Sequence, residues 1–145
     1  MSDGEPPEPA DRVSVAEATE VAELRAALRR FLHRSERIAR ASGLTPQRHL
    51  LLLSIKGAPD GSETSTVTEL SERLQLAQST VTELVDRAVA AGLIERRRSA
   101  GDQRVVELRL APEGERRLAR SFRAHGEERA RLIQTLSEYG ILADG

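Results

Sequence analysis

Apolar residues recur at helical spacing along most of this chain and switch to strict alternation in one short stretch. Val21, Leu24, Leu28, Phe31 and Ile38 follow steps of 3, 4, 3 and 7, with Ser35 at the missing position. That stripe belongs to a helix packed along another helix, and it predicts a first helix from about Val13 to Ala41, stopped by Ser42-Gly43. A core helix and a subunit interface suit it equally. Thr45-Pro46 opens a second helix, Thr as cap and Pro in the first turn, and Leu50 to Ile55 is too apolar for a surface position. Residues 57–65 (GAPDGSETS) have the composition of a loop. Thr68 is expected to cap a third helix, about Glu69 to Gln75, with Leu70 and Leu74 inward. After a turn at Leu76-Ala77 comes a fourth helix, about Gln78 to Ala91, whose Val81, Leu84, Val85, Ala88 and Val89 form one face; Gly92 ends it. Alternation then sets in. Ile94 to Arg98 and Arg104 to Leu110 are expected strands, with Val106, Leu108 and Leu110 on one face and residues 99–102 at the hairpin tip. Pro112-Glu113 begins a long last helix carrying Leu118, Phe122, Leu132, Ile133 and Leu136, bent at Gly126. The expected fold is mostly α with a small two- or three-stranded β wing.

Composition narrows the classes. A chain of 145 residues with 39% apolar and 31% charged positions suits one soluble domain with a real core. With only Phe31, Phe122 and Tyr139 as aromatics, Leu, Val, Ile and Ala must fill that core. The absence of cysteine removes disulfides, Cys-ligated zinc and thiol redox chemistry together. Residues 1–12 are Pro- and acid-rich and are expected to form a disordered tail, leaving 13–145 as a single domain. No apolar run approaches the ~20 residues of a membrane span, and no basic-then-apolar leader is present, so a cytoplasmic protein with no membrane partner is expected. His33, His49 and His125 lack metal-ligand spacing, and no nucleophile–base signature or phosphate-binding Gly loop occurs. No metal, cofactor or catalytic residue is predicted.

Charge is local rather than global. The whole chain carries −1, but residues 1–20 hold six acids and one base, so the remaining 125 residues carry +4. Arg96, Arg97, Arg98 and Arg104 against Asp102 concentrate +3 in nine residues, as a surface meeting phosphate requires. The polar flank of the fourth helix presents Gln78, Ser79, Thr80, Thr82, Glu83 and Arg87. Gln bonds adenine bidentately, Ser and Thr are permissive, the Thr methyl touches thymine, and Arg87 lies two turns along toward phosphate. Arg104 beside a hairpin tip suits a narrow minor groove, with Asp102 aiming it. Arg96, Arg97 and Arg98 alternate sides, so at most two face a duplex. A solvated helix flank and an edge hairpin kept soluble by Arg are the plainer alternatives. Helix, turn, helix and basic hairpin in this order make a winged helix-turn-helix, a module that sets one helix in the major groove.

The chain resembles the MarR family (multiple antibiotic resistance regulator) over roughly residues 15–137. The resemblance rests on Leu44-Thr45-Pro46, on Ser79-Thr80-Val81-Thr82 with Leu84-Val85-Asp86-Arg87, and on Ala91-Gly92-Leu93-Ile94-Glu95-Arg96. It continues through Asp102-x-Arg104 and Leu110-Ala111-Pro112-Glu113-Gly114. It implies a homodimeric transcription regulator, more often a repressor, gripping a pseudo-palindrome of double-stranded DNA with helices 13–41 and 112–137 interlocked around modules spanning about 45–110. It also implies a small anionic or phenolic effector near the first two helices, where His33, Arg37, Arg48 and His49 lie; an ordinary surface position is the plainer reading of each. Four departures stand out. Ala77 and Ala111 occupy helix caps where Ser or Thr is usual, and Glu83 brings a carboxylate to the reading flank. The chain also stops at Gly145, so the first helix and the Leu118–Leu136 stripe are expected to hold the dimer. The rival reading is a winged-helix protein-interaction module without an operator, and a third is an enzyme acting on a small aromatic acid.

Overall fold

Caps and glycines divide the chain into helices much where their chemistry requires. The structure is a computed structural model that describes residues 6–141. Helix α1 spans Val15–Ala41 and α2 spans Pro46–Lys56; Ser14 accepts from the Glu17 amide and Thr45 from the Arg48 amide. Helix α3 covers Val67–Leu74 and α4 covers Gln78–Ala90, followed by strands β1 (Ile94–Arg98) and β2 (Val106–Leu110). Helices α5 (Pro112–Ala124) and α6 (Gly126–Glu138) complete the order. Most of the expected acidic tail's first half lies outside the described residues. Its remainder is not featureless, because Pro9–Asp11 makes one 3-10 turn and Arg12 Nε donates to the Pro7 carbonyl at 2.7 Å.

One core holds the winged module together. Leu51, Leu52 and Ile55 of α2 meet Leu70 of α3, Val81, Val85 and Ala88 of α4, and Leu93, Ile94, Leu108, Leu110 and Leu118. This cluster fixes α4 from behind and leaves its polar flank outward. The α3–α4 turn is set by Gln75, whose φ of 54° is left-handed, and by Ser71 Oγ donating to the Leu76 carbonyl at 2.6 Å. Gly92, at φ +73°, turns the chain from α4 into β1. The strands pair antiparallel, Ile94 opposite Leu110 and Arg98 opposite Val106.

The structure departs from the sequence expectation at some boundaries and sharpens it at others. Thr66, not Thr68, caps α3, accepting from the Glu69 amide at 3.2 Å; the Thr-x-x-Glu spacing of a capping box was the usable signal. A third strand is reduced to a single bridge between Ser65 and Leu108. Strand β2 starts at Val106 rather than Arg104, because Asp102 Oδ1 draws the Arg104 amide into the tip at 3.0 Å. Val106, expected inward, lies past the core and is exposed. The long last helix is two helices broken at His125, whose ring is buried between α1 and α5, and Arg129 Nη1 donates to the Phe122 carbonyl at 2.8 Å across the break. Within the α1 stripe, Leu24, Phe31, Ser35 and Ile38 are half-buried, whereas Val21 and Leu28 stay exposed. Among the described residues no helix is long and apolar enough to cross a membrane.

Candidate nucleic-acid interface

The flank of α4 and the hairpin form one continuous polar surface. Gln78, Ser79, Thr80, Thr82, Glu83 and Arg87 are all exposed, as the inward packing of Val81, Val85 and Ala88 requires. Ala77 caps α4 without a side-chain bond, and Ala111 does the same at α5, as their side chains dictate. Two polar side chains are already engaged. Gln78 Nε2 reaches Thr68 Oγ1 at 3.4 Å, a marginal contact, and Thr82 Oγ1 donates to the Gln78 carbonyl at 2.8 Å. Ser79, Thr80, Glu83 and Arg87 make no side-chain hydrogen bond or ion pair among the described residues.

The sheet register separates arginines that look equivalent in sequence. Residues directly opposed share a face, so Arg96 and Arg98 lie on the side of Leu108 and Val106, while Arg97 lies with Glu107 on the other. Arg96 pairs with Asp86 of α4, joining wing to helix. Arg98 Nη1 donates to the Gln103 carbonyl at 2.6 Å, closing the hairpin tip. Arg97 has only a 3.9 Å contact with Glu95. Arg104 projects furthest: its side chain is 94% exposed, with Asp102 Oδ1 3.6 Å from its Nε. The Asp86–Arg96 tie went unseen in the sequence, because ten residues and a turn separate the partners.

Residues 42–105, which contain this surface, match the model of the MarR family. A transcriptional repressor of Bacillus subtilis, MdtR, is 32% identical over 100 residues, 69% of this chain and 62% of that protein. The uncharacterized HTH-type regulator YsmB of the same organism is 49% identical over 51 residues, 35% of each chain. The chain thus spans about a third to three-fifths of the curated relatives it matches. A MarR-family structure from Bacillus stearothermophilus superposes with a TM-score of 0.66 at 28% identity, over 86% of this chain and 83% of that one. Residues 42–105, the winged module, thus belong to the MarR family.

The chain also holds a cavity of about 330 Å³ between α1, α2 and the α5–α6 break. Its walls are apolar, with Phe31, Leu32, Leu53 and Phe122 among them, and Arg129 lies 3.7 Å over the Phe122 ring. Of the four expected effector residues only His49 lines it. His33 and Arg37 lie along a shallow outer face of α1, and Arg48 borders neither space, so the four do not converge. His49 Nδ1 meets Ser121 Oγ at 2.9 Å, and its ring stacks on His125 at 4.6 Å. Burial, then the charges of His125 and Arg129, push the His49 imidazole down to about 4. Buried Ser35 Oγ has no hydrogen-bond partner. Sequence reasoning missed Ser35, Ser121, His125 and Arg129 here. Ser121 and His125 stand at i, i+4, but nothing in the sequence tied that face to α2. Among the described residues no three acidic or histidine side chains gather as metal ligands.

Proposed function

We propose that the chain is a sequence-specific DNA-binding transcription regulator, acting as a repressor and as a homodimer on a pseudo-palindromic operator. The observation that carries this reading is the joint exposure of the α4 polar flank and Arg104, on elements joined by the Asp86–Arg96 pair. Helix α4 enters the major groove, Arg104 enters the neighbouring minor groove, and Arg87 and Arg97 meet phosphate. The two half-sites lie about 34–36 Å apart, one helical turn. The exposed Val21 and Leu28 of α1 and Ile133 of α6 supply apolar surface for the second copy. A small anionic or phenolic effector in the α1–α2–α5 cavity, facing Arg129 and the unpartnered Ser35 hydroxyl, favours a different spacing of the two reading helices and releases DNA.

The test is a salt titration of binding to the DNA flanking the coding region. Affinity is expected to fall steeply with salt, and Arg104→Ala is expected to reduce the log–log slope by about one unit per protomer. A flat salt response, or no binding at low salt, would refute the DNA-binding reading and favour an interaction module.

A further inference from the structure

We propose that His125 is a proton-dependent clamp: with a hydrogen on each ring nitrogen it ties the middle of α1 to the α5–α6 break, and loss of one hydrogen releases that tie and reshapes the cavity. The geometry is specific. His125 Nδ1 lies 2.7 Å from the Ser121 carbonyl oxygen and Nε2 lies 3.0 Å from the Ser35 carbonyl oxygen. Carbonyl oxygens only accept, and a neutral imidazole has one N–H and one lone pair. A neutral ring therefore sets a lone pair against an oxygen at one of these contacts; a doubly protonated ring satisfies both. The Ser121 hydroxyl does not remove the conflict. It lies 3.4 Å from His125 Nδ1 but 2.9 Å from His49 Nδ1, its better partner.

The surroundings permit one positive charge here. His49, the α2 neighbour stacked on the ring, stays neutral because its own protonation is pushed far down. Glu36 of α1 borders the same cavity and favours a cation; Arg129 of α6 opposes it but is turned onto the Phe122 ring and carbonyl. Helix α5 contributes Ser121 and Phe122 to this region, neither of them charged. The alternative state has a ready partner. Ser35 Oγ is buried, unbonded and on the α1 turn that His125 grips, so it can donate to the ring nitrogen that has lost its hydrogen. Two hydrogen-bond arrangements of one joint, chosen by a proton, make a switch between α1 and the α5–α6 break.

Nitrogen-15 spectra of the histidine rings in the full chain provide the first test. At the acid end of a pH titration both His125 nitrogens are expected to carry hydrogen, and at its alkaline end one is expected to show a lone pair. Amide exchange across the α5–α6 break, corrected for intrinsic rates, is expected to lose about fivefold protection over the same interval, the worth of one hydrogen bond. That pH dependence should vanish in His125→Gln. A His125 ring that keeps one fixed tautomer throughout overturns the clamp, as does an unchanged pH dependence in the variant. Should the variant fail to fold, the wild-type ring spectra decide alone. DNA binding enters neither measurement, so the clamp and the operator reading fail separately.

Discussion

Gly114 offers a stability test in which two rules predict opposite signs. It sits buried in the first turn of α5, where a side chain would meet the start of β1. A Cβ there would stand 2.1 Å from the Leu93 carbonyl oxygen and 3.0 Å from its carbon, both backbone atoms that cannot swing aside. The same carbonyl accepts the Ala111 amide at 2.9 Å, so moving α5 away also breaks the bond that seats it. Overpacking costs about 1–3 kcal/mol, and the lost hydrogen bond about 1 more. Replacing a helical glycine by alanine returns about 1 kcal/mol through propensity. Gly114→Ala is therefore expected to destabilise by about 1–3 kcal/mol, lowering Tm by roughly 3–9 °C for a chain of this size. Gly126→Ala is the control: a Cβ there meets nothing within 4 Å, so propensity alone acts and Tm should hold or rise by a few degrees. Thermal melts followed by circular dichroism at one fixed protein concentration measure both, since association would otherwise shift Tm. A Gly114→Ala protein as stable as Gly126→Ala would refute the α5–β1 contact.

Three further outcomes are expected. Ala77→Ser supplies the hydroxyl that the α4 cap lacks and should raise stability in urea melts by about 0.5–1 kcal/mol; no change would mean the first amides of α4 are already satisfied. Glu83→Gln removes an unpaired carboxylate from the reading flank and should tighten binding to random DNA several-fold at low salt while lowering discrimination between sequences; weaker random binding would place Glu83 away from phosphate. His49 titrates near 6.5 unfolded and near 4 folded, so between those values the unfolded chain holds a proton that the folded one lacks. Its contribution is then complete above about pH 6.5 and lost as pH falls toward 4. After allowance for half-exposure that loss is about 1–2 kcal/mol; it should be absent from His49→Gln and so appear as the pH-dependent part of the stability difference between wild type and variant.

What was legible in the sequence follows the range of the interaction that sets each feature. The α4 face, the Gly92 stop and the strand pairing depend on neighbours within a few residues, and Val81, Val85 and Ala88 are buried where their spacing puts them. The first cap of α3 was displaced by two residues because Thr66 and Thr68 have the same chemistry, and only Glu69 distinguishes them. The break in the last helix was assigned to the flexibility of Gly126. The break does fall at Gly126, and a long-range tie joins it there: His125 bonds the Ser35 carbonyl ninety residues away. Such contacts between distant segments leave no local periodicity. The effector residues failed to converge for the same reason, since His33, Arg37 and His49 share two helices but face different spaces.

The wing shows how far that distinction reaches into function. Counted from sequence, Arg87 and Arg104 with at most two of Arg96, Arg97 and Arg98 are four cations per protomer, and eight phosphate contacts in a dimer would give a salt slope of about −7. The structure commits two of them elsewhere: Arg96 to Asp86 and Arg98 to the Gln103 carbonyl, where each holds the hairpin in place instead of meeting phosphate. Arg87, Arg104 and the weakly held Arg97 remain, so the proposed dimer is expected to show a slope of about −3.5 to −5.5. Asp86→Ala frees Arg96 and should steepen that slope while it loosens the hairpin, a pairing of effects that simple charge removal from the surface would not produce. A wild-type slope near −7 would show that the Asp86–Arg96 pair opens on DNA, and that the wing is assembled by its target rather than beforehand.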